Sequence, residues 1–126
     1  MKELDQEPLT GVERKLEAAS ALISVSDLEG IITYCNDQLC QFTDYTQESL
    51  DGQLQRNLGA GGVPFSLFNN LYTALNNGKE YIGILRNRCK NGDHYWADVY
   101  FMPIYKNGKL AGIQSIRNQP EPEFVE

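Results

Sequence analysis

Asn87-Arg-Cys-Lys-Asn-Gly-Asp-His-Tyr-Trp96 is the stretch on which the reading of this chain turns. It sets Lys-Asn-Gly-Asp between two β-rich runs, Glu80 to Cys89 and His94 to Tyr105. Asn-Gly between such runs is a strong short-range hairpin signal, because the tight turns that suit twisted strands need positive φ at their centre. Lys-Asn-Gly-Lys, with Asn107-Gly108, repeats the signal and leads into a third run, Leu110 to Arg117. Three consecutive antiparallel strands are therefore expected.

Charge placement constrains the register, since a slip of one residue moves every side chain to the other face. A two-residue turn at Asn91-Gly92 would set Arg86 among Ala97, Val99 and Phe101 with no acid opposite, and an unpaired buried charge is costly. A three-residue loop, Asn91 to Asp93 with a glycine-dependent bulge, instead puts Arg86 opposite Asp98, and Asp98 opposite Arg117 across the second hairpin. This register predicts an Arg86, Asp98, Arg117 cluster on one face. The other face then carries Tyr81, Gly83, Leu85, Asn87, Ala97, Val99, Phe101, Gln114 and Ile116. The charged face also holds Ile82, Ile84, Trp96, Tyr100, Met102 and Ile113, too much apolar surface to leave open. Leu16 and its neighbours, or a second copy of the chain, are expected to cover it.

Upstream, Ala21 to Ser26 alternates like a strand, stops at the turn residues Asp27-Leu-Glu-Gly30, and returns along Ile31 to Tyr34. Asn36 is placed as a helix N-cap, and Thr46 as the cap of another short turn that ends near Gly52. Glu13 to Ser20 is a further short helix by pattern, and Gly59 to Pro64 is a loop. Phe65, Phe68, Leu71, Tyr72 and Leu75 recur at helical spacing up to the stop at Gly78. The order is β, β, short helices, one longer helix, β, β, β: an α+β domain with a five-stranded antiparallel sheet and helices on one face.

At 126 residues there is room for one core. The formal charge of −6 disfavours a surface that tracks nucleic-acid phosphates or anionic lipid. The N-terminus lacks the apolar stretch of a signal peptide, so the cytoplasm is the expected compartment. Cys35, Cys40 and Cys89 are odd in number and lack CxxC spacing, which suits reduced thiols. Cys89 alone has local cations, Arg88 and Lys90, of the kind a reactive thiolate needs.

No catalytic set emerges. His94 is the single histidine and has no Ser or Cys at motif spacing; Asp44, Asp51 and Asp93 sit at caps or turns. Asn87 and Gln114 stand apart, because the register points both into the interior and buried amides must find partners. They either bond the polar edge of a planar ligand lodged between helix and sheet, or backbone and trapped water.

With these elements in place, the chain from Ala21 to Asn118 resembles a PAS sensory domain, and within that superfamily the aerotaxis-receptor type of bacterial methyl-accepting chemotaxis proteins. The residues that carry the resemblance are Leu-Thr-Gly-Val-Glu ahead of the domain, Ser26 to Asp37, Asn87 to Trp96, and Gly112-Ile-Gln-Ser-Ile-Arg117. The resemblance implies a dimeric sensor of redox state or a small molecule that signals to a downstream module. It also implies FAD, held through an Arg-His-Pro-Asp-Met-Pro stretch and tryptophans. This chain reads Asn57-Leu-Gly-Ala-Gly-Gly-Val-Pro64 there, with Tyr72 and Tyr81 at the tryptophan positions, which leaves the cofactor unknown.

The candidate ligand-binding residues are Asn87, Gln114, Ala97, Val99 and Phe101 of the sheet, with Phe68, Tyr72 and Tyr81. Residues 1–20 are expected to form a lead-in and cap, 21–118 the PAS domain, and 119–126 a linker toward a signalling module. Expected partners are a second copy, through the outer sheet face and cap, and that module. A cofactor-free PAS module serving as a dimerisation or interaction surface is the alternative.

Overall fold

A computed structural model describes residues 6–59 and 81–120. Strands β1 (Leu22–Ser26) and β2 (Ile32–Cys35) are followed by helices α1 (Asp37–Thr43) and α2 (Gln47–Leu50) and a 3-10 turn at Gln55–Leu58. Strands β3 (Tyr81–Arg88), β4 (His94–Lys106) and β5 (Lys109–Asn118) complete one antiparallel sheet in the order β2-β1-β5-β4-β3. The expected helix over Phe65 to Asn77 lies outside the described residues.

Local chemistry explains the N-terminal half. Asp27 Oδ1 accepts from the backbone of Glu29 and Ile31 and so closes the β1–β2 turn. Asn36 caps α1 by accepting from Leu39 N at 3.0 Å. The same amide accepts from Ile23 N and donates to the Ala21 carbonyl, tying the helix start to β1. Thr46 and Ser49 form a reciprocal capping box on α2.

Glu13 to Ser20 is not a helix. Residues 7–14 run instead along the β3–β4 loop, with Glu7 N bonded to Lys90 O, Thr10 N to Gly92 O, and Arg14 N to His94 O. At Arg14 a hydrogen bond to the hairpin backbone stands in place of one a helix would have made within itself. Arg14 pairs with Asp93 at 3.0 Å and Asp44 at 3.1 Å, and Arg88 donates to the Glu7 carbonyl. Leu16 enters the core cluster with Leu39, Tyr95 and Val99 rather than covering the outer sheet face.

Two features of the hairpins correct the expected register. The β3–β4 loop closes at Cys89 and Asp93 (Cys89 N to Asp93 O, 2.8 Å), leaving Arg88 opposite His94. The pairing therefore slides by two residues, which preserves the faces but changes the partners: Arg86 lies opposite Trp96 and Asp98 opposite Ile84. In the second hairpin Asn107 and Gly108 both take positive φ in a two-residue turn. Tyr105 then pairs with Leu110 but Ile104 with Gly112, so Ala111 is the extra residue of a bulge.

That single extra residue exchanges the faces of β5. Ile113, Ser115 and Arg117 turn inward, and Gln114 and Ile116 turn outward, opposite Met102 and Tyr100. The expected Arg86, Asp98, Arg117 cluster does not form, because Arg117 lies opposite Val99 on the other face. Next to the bulge, Gly112 passes so close to β1 that a Cβ would sit 2.6 Å from the Ser26 carbonyl oxygen.

Candidate functional site

The inner face is apolar at its centre, with Ala97, Val99, Phe101 and Tyr95 buried and Phe42 of α1 edge-on to Tyr95 at 5.0 Å. A polar cluster interrupts it where β1, β5 and β3 present Ser24, Ser115, Arg117 and Asn87, joined from the 3-10 turn by Gln55. Arg117 is only 2 % exposed. Its Nη1 donates to Ser24 Oγ and Ser115 Oγ, each at 3.1 Å, and its Nε reaches Asn87 Oδ1 at 3.5 Å. Gln55 Nε2 donates to the same serine oxygens at 2.8 and 3.2 Å, and the two hydroxyls lie 2.6 Å apart.

Of these, Gln55, Asn87 and Arg117 border a cavity of about 10 Å³, room for about one water, between the sheet and the 3-10 turn, with Gly59, Leu85, Arg86 and Phe101 completing its lining. Among the described residues Gln55 Oε1 is buried without a hydrogen-bond partner, and so is the Tyr95 hydroxyl. Burial without a partner raises the Tyr95 phenol, with Arg117 pulling the other way.

Of the candidate ligand contacts, Asn87, Ala97, Val99 and Phe101 share the inner face as expected. Gln114 does not: the Ala111 bulge places it on the outer face, opposite Val25 and Met102. Asn87 spends its amide on the Leu85 carbonyl at 3.2 Å and on Arg117. Phe68 and Tyr72 lie outside the described residues, and Tyr81 is placed by its backbone alone, opposite Phe101. Arg117, Ser24, Ser115 and Gln55 were missed. The alternation of Leu22, Ser24 and Ser26 with Ile23 and Val25 was the available signal, because it sets serines rather than isoleucine and valine at every second position of a strand that must bury one face.

The thiols sit apart from this chemistry. Burial pushes Cys35 up to about 12 against the pull of Arg117, and Cys89 up to about 11 against the pull of Arg14 and Arg88. The cations beside Cys89 thus fail to make it a ready thiolate. Among the described residues no group of His, Cys, Asp or Glu is arranged to hold a metal, and no helix is long and apolar enough to cross a membrane.

The family model for the PAS fold matches residues 32–117. The chain belongs to the PAS family. The PAS domain is 36% identical over 106 residues to the aerotaxis receptor of Escherichia coli (strain K12), a match covering 84% of this chain and 21% of that one. It is 29% identical over 89 residues to the nitrogen fixation regulatory protein of Klebsiella pneumoniae, covering 71% and 18%. The chain thus spans about a fifth of the length of these curated relatives. Among solved structures it is similar to the PAS domain of a protein from Colwellia psychrerythraea, with a TM-score of 0.72 and 26% identity over 79% of this chain and 86% of that one. A light-oxygen-voltage receptor that binds RNA shares the fold, with a TM-score of 0.70 at 21% identity over 80% of this chain and 30% of that one.

Proposed function

We propose that this PAS domain is the sensory module of a cytoplasmic chemotaxis receptor of the aerotaxis type. Its stimulus is a small molecule or redox change registered in the inner-face pocket and passed on by repacking of the sheet. The observation that carries the reading is the position of Arg117. It borders the pocket and is the last residue but one of β5, so a change in its partners acts directly on the chain leaving the sheet at Asn118. The identity with the aerotaxis receptor supports the chemotaxis context. Residues 21–118 serve as the sensor in this reading, with the ends of the chain linking it to other parts of the receptor. The response is a shift between two packings of the sheet, biased by whichever one binds the ligand better.

Flavin held by two converging amides does not fit these residues. Gln114 faces away from the pocket and Asn87 is engaged by Leu85 and Arg117, so these two amides do not together meet the edge of a planar ring. An absorption spectrum of the purified chain, with native mass spectrometry on the same sample, tests the sensory reading. A colourless protein carrying a small molecule that leaves on acid unfolding is expected. Bare-chain mass throughout would contradict it.

A second reading has its own support. Ile84, Trp96, Tyr100, Met102 and Ile116 form a half-buried apolar patch on the outer face, of the kind that a second copy covers. A cofactor-free dimerisation module predicts that Trp96→Glu converts a dimer to monomer, seen by light scattering.

A further inference from the structure

We propose that Asn107, in the turn leading into β5, is a site of spontaneous covalent modification that loses its side-chain amide and becomes aspartate or isoaspartate. The proposal stands apart from whatever the sensory site binds. In the first step the deprotonated Gly108 nitrogen attacks Asn107 Cγ, a nitrogen–carbon bond closes a five-membered imide, and the side-chain nitrogen leaves as ammonia. Water then opens the imide at either of its two carbonyls. One opening gives aspartate; the other gives isoaspartate, whose main chain runs through Cγ and is one methylene longer. Nothing is oxidised or reduced, and water is the only reactant added.

The sequence holds three Asn-Gly pairs, where no side chain hinders the attacking nitrogen: Asn77-Gly78, which lies outside the described residues, Asn91-Gly92 and Asn107-Gly108. The fold treats the last two differently. Asn91 Oδ1 accepts from Asp93 N at 2.9 Å and its Nδ2 donates to Asp93 Oδ2 at 3.1 Å, while the buried Gly92 donates its N–H to Cys89 O at 3.1 Å. Both the amide that must leave and the nitrogen that must attack are therefore engaged. Asn107 and Gly108 are exposed, and among the described residues neither the Asn107 side chain nor Gly108 N has a hydrogen-bond partner.

Backbone geometry separates them further. Asn107 has φ 53° and Gly108 φ 77°, the two positive values of a type I′ hairpin turn, whereas Asn91 does not take positive φ. Closing the imide fixes ψ of the asparagine at roughly −120°, which with positive φ is the first central position of a type II′ turn, the other two-residue hairpin connection. Turning over the one peptide between Asn107 and Gly108 brings the hairpin from the first turn to the second, and glycine accepts the negative φ that results. The reactive geometry is thus reached without opening the strands. Isoaspartate, by contrast, inserts an extra backbone atom into the turn from which β5 and its Arg117 take their pairing.

The test is incubation of the folded full chain in mildly alkaline buffer, followed by peptide mass spectrometry that reads the mass gain at each pair and separates aspartate from isoaspartate by fragmentation. Asn107 is expected to convert on the order of tenfold faster than Asn91, the ratio that breaking the hydrogen bonds around Asn91 and Gly92 would impose. In urea the two rates should draw together. Asp93→Ala should speed conversion at Asn91 in the folded chain and leave Asn107 as it was; if that variant does not fold, the folded-against-urea comparison on the parent decides alone. The isoaspartate fraction, separated by ion exchange, should have a lower Tm than the Asn107→Asp variant, which adds the charge without lengthening the turn, and an equal Tm would overturn the effect on the hairpin. Equal conversion at the two pairs in the folded chain, faster conversion at Asn91, or an Asn107 that stays intact while the unfolded chain converts overturns the inference.

Discussion

Arg117 Nη1 lies 3.1 Å from Ser24 Oγ, joining the last strand of the sheet to the first across the inner face. The pairing exists because one extra residue, Ala111, turns the end of β5 over. Ser24 then has Arg117 and Gln55 as donors in a space closed to solvent, and the ends of the described domain are coupled through one polar cluster.

Gly92→Ala should free the N-terminal segment. Gly92 sits at φ 96°, and a Cβ there would stand 1.9 Å from the Pro8 carbonyl oxygen, a clash with the backbone of the N-terminal segment. The expected cost is about 2 kcal/mol in urea unfolding, with new protease cleavage ahead of Arg14. Unchanged cleavage would show that residues 7–14 are not held against the loop.

Asn36→Ala should cost about 2 kcal/mol. It removes the cap on α1 together with the bonds to Ile23 N and Ala21 O. Asn36→Asp keeps the acceptor and should recover most of the cap but not the bond to Ala21, an order readable from the two midpoints.

Stability should fall on the acid side through Asp93. Hydrogen bonds from Thr10, Arg14 and Asn91 hold its carboxylate below the ordinary aspartate range. A group with a depressed folded pKa contributes stability that is present above its unfolded value of 3.8 and is lost as pH falls through the lower folded value. Asp93→Asn should therefore flatten that acid limb while changing little near neutrality beyond a constant offset. An identical acid limb in parent and variant would remove Asp93 from the pH response.

Thiol titration with a disulfide reagent at mildly alkaline pH should find Cys40 first. Cys35 and Cys89 are buried and held near 12 and 11, whereas Cys40 is partly exposed. All three should react once urea unfolds the chain. Early reaction of Cys89 would restore it as a sensing thiol.

The order of the five strands, the caps at Asn36 and Thr46 and the positions of the two hairpins were legible because each rests on local chemistry: a side-chain acceptor, an Asn-Gly pair, a strand's alternation. The faces of β3 and β4 were legible through the cost of burying Arg86, and they survived a wrong loop length because the error was even. The face of β5 was not. Pairing Asp98 with Arg117 by charge assumed an unbroken register, whereas the bulge at Ala111 depends on the close passage of Gly112 against Ser26, a contact with a strand 86 residues earlier in the chain. Glu13 to Ser20 was misread as a helix in part for the same reason, since Arg14 N bonds to His94 O, far along the sequence.

The orientation of Arg117 is the claim on which the pocket and its relay depend, and nitrogen-15 NMR of arginine side chains tests it most directly. An Arg117 Nε–H protected from exchange, with contacts to the methyls of Val99 and Ala97, is the result the inward-turned strand requires. Rapid exchange, with contacts to Tyr100 or Met102 instead, would place the guanidinium on the outer face and contradict it.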